Sequence, residues 1–315
     1  MLYPISQPKP NSAEDLIGFI DTEGRVVVRP AYAGGSYFFE GKASVVDLDG
    51  KSGFINHSGD LVIPCRFKGL GKFRNGVCAI NGGFLSHDGK WFIEPRFLVT
   101  GEFSEGRAFV SFDGEKFGFI DLAGDTVVRP QFQQCRHFSE GLAGVCHENR
   151  WGFIDHGGEL RIPHVFEGVQ LQGYRHGLAG VEIDGRWGFV DYGGNFVIKP
   201  EYEDVRSFSE GCAPVRRNSK WGFVDLDGVP VVDFRFDELG PLDGGMAPAK
   251  IDRKTGFVSA SGSWVIQPAF DRCYRFFGKL AVARTGDVYS YLRRDGEAVW
   301  TSAPGAIVQS PPIAA

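Results

Sequence analysis

One short word recurs along the whole chain and limits what it can fold into. A Gly-Phe-[Ile/Val/Leu] triplet, or a close variant, begins at Gly18, Gly53, Gly83, Gly118, Gly152, Gly188, Gly222 and Gly256. A degenerate ninth copy starts at Ser290 (Ser-Tyr-Leu). The steps are 34 to 36 residues, apart from 30 between Gly53 and Gly83. A fixed period of this length marks a repeat architecture, in which each unit buries its apolar surface against its neighbours.

Each period reads as a meander of short strands. In residues 208–240, Phe208-Ser209-Glu210-Gly211 is a turn and Cys212-Ala213-Pro214-Val215 opens a strand. Lys220-Trp221-Gly222-Phe223-Val224-Asp225 is the next strand, and Pro230-Val231-Val232 the one after it. Asp49-Gly50, Asp113-Gly114 and Asp184-Gly185 are two-residue hairpin signals. A glycine closes the following turn in every copy, at Gly24, Gly59, Gly89, Gly124, Gly158, Gly194, Gly228, Gly262 and Gly296, which predicts a positive φ. In most copies a proline follows the third strand, at Pro30, Pro64, Pro95, Pro130, Pro163, Pro200 and Pro268. No window carries a helical apolar period, so almost no helix is expected.

The fold class is therefore all-β, a tandem repeat of short antiparallel meanders. A β-propeller of about eight blades is the favoured arrangement, and an open β-solenoid or superhelix of hairpins is the alternative. The period is short for four-stranded blades, where about 40 to 50 residues is usual. Continuous apolar runs such as Val26-Val27-Val28, Leu61-Val62-Ile63 and Val231-Val232 predict strands covered on both faces. The expected organisation is a flexible tail over 1–14, one repeat domain of eight to nine units over 15–301, and a second flexible tail over 302–315. The first copy is read as lacking the strand before Gly18.

The words Trp151-Gly152-Phe153-Ile154-Asp155, Trp187-Gly188-Phe189-Val190-Asp191 and Trp221-Gly222-Phe223-Val224-Asp225 resemble WG repeats, also called KWG repeats. The similarity continues through Phe103-Ser104-Glu105-Gly106 and Phe208-Ser209-Glu210-Gly211 and covers roughly residues 16–300. Ile17, Ser52, Gly82, Phe117 and Thr255 stand where the family has Trp. The resemblance implies a β-rich scaffold of a mostly bacterial family, with an interaction role and no reaction.

Composition bounds the function. With 34 basic and 39 acidic residues the formal net charge is −5, which argues against nucleic-acid or anionic-membrane binding. No secretory signal or membrane-spanning stretch is visible, and six scattered cysteines read as free thiols, so a cytoplasmic location is expected. Trp151, Trp187 and Trp221 are the candidate ligand-binding residues, as an aromatic ladder for a sugar, peptide or lipid head group; packing between units is the competing account. Asp21, Asp121, Asp155, Asp191 and Asp225 read as acceptors for turn amides rather than a calcium site, since no D-x-D-x-D-G run is present. Glu40, Glu105, Glu140 and Glu210 read as solvated turn residues. Cys135, His137, Cys146 and His147 lack a standard zinc spacing, and neither a G-x-S-x-G elbow nor a phosphate loop occurs. The expected function is a non-catalytic, cofactor-free scaffold that binds another protein, with a lectin-like glycan-binding module as the alternative. The loops that break the consensus, Phe166–Gly177, Asp237–Met246 and Tyr32–Phe39, are the expected binding surface.

Overall fold

The structure, a computed structural model, describes residues 1–8, 15–69 and 71–306. Every regular element among them is a β-strand. The strands form nine antiparallel sheets with meander order, one three-stranded and eight four-stranded. The sheets span 3–32, 34–67, 73–93, 99–132, 134–166, 168–202, 204–236, 238–270 and 272–301, numbered here as blades 1 to 9. The fold is an all-β propeller. Four strands fit so short a period because the first strand is only two residues long in six blades.

The described residues group into two compact units. One comprises blades 1, 2, 3 and 9; the other, within 97–269, comprises blades 4 to 8. In each unit the core lies between successive sheets. Phe153, Ile162 and Phe166 of blade 5, for example, pack with Val169, Tyr174 and Val181 of blade 6. In the first unit, blade 1 packs on blade 9 through Tyr3, Ile5, Ile20, Leu280, Val282 and Tyr291. The Tyr291 hydroxyl donates to the Pro4 carbonyl at 2.6 Å, and the Tyr3 hydroxyl accepts from the Lys279 amide at 2.9 Å. Glu23 and Arg293 form an ion pair at the same joint. First and last sheets thus meet, which an open stack of hairpins would not require.

Those contacts correct the reading of 1–14 as a tail. Tyr3–Pro8 is the strand that the first copy was thought to lack, and Tyr3 and Ile5 are fully buried. Its prolines suggested irregular chain, yet the strand lies at the sheet edge, where a missing N–H costs little. Residues 9–14 lie outside the described set. At the other end, Ser302 and Ala306 are buried, and the Ser302 amide donates to the Tyr289 carbonyl. The remainder of that expected tail, 307–315, lies outside the described residues.

The repeated glycine of the Trp-Gly word is explained by register. Trp151 faces Phe166 and Phe153 faces Ile162, so two steps on the third strand oppose four on the fourth. The extra residues bulge outward at Pro163. A Cβ on Gly152 would lie 2.5 Å from the Ile162 carbonyl oxygen, and its seven counterparts would meet the equivalent oxygen at 2.2 to 2.7 Å. Only a hydrogen fits there. In blade 9, Ser290 replaces the glycine, and Ser290 and Tyr291 face the consecutive residues Thr301 and Trp300. Where the glycine is lost, this bulge is lost too.

The nine turn glycines have φ between 78° and 90°, as their recurrence predicts. The fourth strands differ from expectation. They are edge strands, and Val26, Val27, Leu61, Val62 and Val231 are exposed, while only Val28, Ile63 and Val232 turn inward. Their apolar runs reflect β-propensity on an uncovered edge rather than double-sided burial.

Gly152→Ala is expected to destabilise the protein by about 1–3 kcal/mol through overpacking. Ser290→Gly, where no bulge exists, is expected to cost under about 1 kcal/mol of backbone entropy. Urea unfolding of the two variants checks the contrast.

Candidate functional site

The three tryptophans expected to bind a ligand occupy equivalent third-strand positions but do not form an open ladder. Trp151 and Trp221 are buried, and Trp187 is half-buried. The Arg136 guanidinium lies over the Trp151 ring at 4.3 Å, and that of Arg206 over Trp221 at 5.0 Å. Trp151 and Trp221 therefore act in packing, which leaves no free face for a sugar to stack on.

The repeated carboxylates are also structural. Asp155 Oδ1 accepts from the amides of Gly157 (2.9 Å) and Glu159 (3.0 Å), and Asp21, Asp121, Asp191 and Asp225 hold their turns in the same way. The glutamates do more than solvate a turn. Each reaches the matching turn of the following blade. Glu40 accepts from the Gly76 amide, Glu105 from Gly141, Glu140 from His176 and Gly177, and Glu210 from Gly244 and Gly245, at 2.6 to 3.0 Å. His87, His156 and Tyr192 complete three of these clamps, bonding Glu40, Glu105 and Glu140 while stacking on Phe73, Phe138 and Tyr174. For Glu40 and Glu140, burial alone would raise the carboxyl pKa. For Glu40 the Gly76 amide, the His87 ring and the Asn75 amide outweigh it; for Glu140 the Gly177 amide, the Tyr192 hydroxyl and the His176 amide do so. Both carboxyls end below the ordinary range.

A second acidic series clasps the other end of the joint. Glu167 accepts from the Gly185 amide of blade 6 and pairs with Arg150 of blade 5 at 3.1 Å. Glu203 accepts from the Ser219 amide, and Asp237 pairs with Lys220 at 2.5 Å. Arg150 and Lys220 stand just before their Trp-Gly words, so the basic residue of that word helps to join blades. Neither series was legible locally, because the bonds connect residues 16 to 37 positions apart; the Glu-Gly word returning after one period was the available signal.

Cys135, His137, Cys146 and His147 are not gathered into a ligand set. Among the described residues, no group of three or more His, Cys, Asp or Glu is placed to hold a metal ion. Cys135, Cys146 and Cys273 are buried, and burial pushes the Cys273 thiol up to about 12.

The three consensus-breaking segments are each partly internal: Tyr32–Phe39 buries Tyr37 and Phe38, Asp237–Met246 buries Leu239, Leu242 and Met246, and Phe166–Gly177 buries Phe166, Val169 and Tyr174. Phe166–Gly177 differs in its strand pairing. It contains the longest strand of the fold, Gly168–Arg175, whose register slips between Val169 and Tyr174. Five steps there oppose two, and the bulged residues include Leu171, which is 53% exposed. Gln170 Nε2 donates to the Val205 carbonyl at 2.7 Å, and the Ser207 hydroxyl donates to Gln172 Oε1 at 3.1 Å, so blade 7 holds the bulge. Arg136 and Arg206 occupy the register position of Gln170 on the flanking blades, each one residue beyond the pair that matches Val169↔Val181. The same position is glycine in blades 4 and 8, at Gly101 and Gly240. Blades 5 to 7 thus share a first-strand face that does not repeat.

Comparison with known proteins agrees with this geometry. The WG containing repeat matches eight times in tandem, over 17–51, 53–81, 83–115, 117–151, 151–187, 187–221, 221–254 and 256–289. The chain belongs to the WG-repeat family. No curated protein matches it. Among solved structures, the computationally designed Ika8 protein is similar at a TM-score of 0.51 and 10% identity, over 83% of this chain and 93% of that one. BamB from Moraxella catarrhalis aligns at 0.44 and 12% identity, over 84% and 94% of the two chains. A eukaryotic initiation factor aligns at 0.47 and 12%, over 96% and 84%. These likenesses concern the fold.

Glu140→Ala is expected to cost about 1 kcal/mol at pH 7, by leaving the His176 and Gly177 amides to solvent. The folded carboxyl has the lower pKa, so the unfolded chain takes up its proton first. The contribution is whole above the unfolded carboxylate range and is lost as pH falls through the folded value. Urea unfolding of wild type and variant at a series of pH values should therefore converge in acid.

Proposed function

We propose that this WG-repeat propeller is a non-catalytic module that binds another protein through the first-strand face of blades 5 to 7. The observation that carries the reading is the bulged strand Gly168–Arg175, which holds Leu171 out from the fold while blade 7 fixes its neighbours. The repeated polar residues are consumed in the fold: aspartates in turns, glutamates in clamps between blades, basic residues in pairs across joints. A repeat scaffold is free to vary where no such duty binds it, and there a partner can be recognised without loss of the core. Burial of Trp151 and Trp221 supports this reading over a glycan-binding ladder.

Leu171→Asp tests the reading. Its side chain is exposed, so the thermal unfolding curve is expected to stay within about 0.5 kcal/mol of wild type. Affinity capture with the full chain is expected to recover a defined partner that the variant fails to retain. Recovery of the same proteins by both would overturn the assignment of this face.

A further inference from the structure

The two arginines beside the bulge differ from the paired basic residues of the fold. Arg25, Arg150, Arg161, Arg217, Lys220 and Arg293 each pair with a carboxylate. The side chains of Arg136 and Arg206 make no hydrogen bond or ion pair among the described residues, although both are half-buried. The Arg136 Nε is fully buried without a partner. Burial lowers the pKa of both guanidinium groups; Asp204 and Glu238 oppose this for Arg206 without bonding to it. The Trp151 and Trp221 rings offset part of the desolvation, since a cation over an indole face is stabilised by about 0.5–2 kcal/mol. A stacked guanidinium keeps its planar fork of donors aligned for a carboxylate. Two such forks, in an acidic protein, therefore stand ready without an anion.

Their arrangement points to the partner's chemistry. Arg136 and Arg206 hold the same register position on blades 5 and 7; blade 6 carries Gln170 there, and the exposed Leu171 follows it in the bulge. From blade to blade the position reads cation, amide, cation, with an exposed leucine beside the amide. We propose that this face binds an acidic peptide segment of the partner, with two carboxylates engaging Arg136 and Arg206 and an apolar residue packing on Leu171. This rests on the protein-binding reading and gives it a ligand class. The tryptophans singled out by the sequence then serve recognition at one remove, by holding the arginines that make the contact.

Fluorescence anisotropy with a labelled peptide of glutamate and leucine tests the assignment, with the lysine-for-glutamate peptide as control. The intact chain should bind the acidic peptide saturably, more weakly as salt rises, and should not bind the lysine peptide. Arg136→Gln with Arg206→Gln should weaken binding at least about tenfold. Arg129→Gln with Arg186→Gln, which removes the same charge from exposed sites, should change it less than about twofold. Leu171→Asp, which does not touch the stacked core, should also weaken it at least about tenfold. Thermal unfolding of each variant confirms that it is folded. Absence of saturable binding, equal binding of the lysine peptide, or equal loss in both double variants would overturn the proposal. So would inorganic phosphate displacing the peptide as effectively as unlabelled peptide does. If Leu171→Asp abolishes partner recovery while the acidic peptide fails to bind, only the ligand class falls. If partner recovery is indifferent to Leu171→Asp, the underlying reading falls with it.

Discussion

The fold depends on one close approach, repeated eight times: a glycine hydrogen against the carbonyl oxygen of the neighbouring edge strand. At Gly152 that oxygen belongs to Ile162, and the contact lets the edge strand carry two extra residues around Pro163. The bulge bends the strand and increases its twist. A separate one-residue slip, between Phe153 and Ile154, falls between the outward Leu160 and the inward Ile162. The glycine and the bulge opposite it are one device. Blade 9 supports this from the other side, because Ser290 stands at a position with regular pairing.

Around that device the joints of blades 2 and 3, 4 and 5, 5 and 6, and 7 and 8 carry the same clamp. An apolar cluster fills the middle, and a carboxylate closes each end by satisfying backbone amides of the following blade. At the joint of blades 5 and 6 the two ends are Glu140 and Glu167. A turn amide that bonds a neighbour's carboxylate fixes the neighbour's orientation as well as its own turn, which apolar packing alone does poorly. Non-glycine residues at positive φ, such as Glu140, His176 and Glu210, are tolerated in these turns, and glycine follows each of them.

Much of this was legible in the sequence, and what was not has physical reasons. The turn glycines predicted their own backbone conformation, because one residue type at one place in every copy leaves few explanations. The aspartates after the Trp-Gly word were readable for the same reason, since their bonds are local. Tyr3–Pro8 was missed because it shares no word with the other second strands; only its partners Leu280, Val282 and Tyr291, far along the chain, show why it is ordered. The glutamate clamps were missed because donor and acceptor are a full period apart. The exposure of Val26 and Val27 was missed because hydrophobicity alone does not distinguish an edge strand from a central one. Of the candidate site, the Phe166–Gly177 segment stood out by its departure from the repeat. Arg136 and Arg206 did not, since nothing in their local sequence marks them as lacking a carboxylate.

The carboxylate clamps share a direction. Glu40, Glu105, Glu140, Glu167, Glu203 and Glu210 each accept from an amide that comes later in the chain. A ribosome delivers the chain in that order. Blades 2, 4, 5 and 7 therefore carry, before their successors exist, the acceptor that will seat the successor's turn. At those joints the template for the added unit is the unit just finished, and their assembly can follow synthesis without waiting for distant sequence.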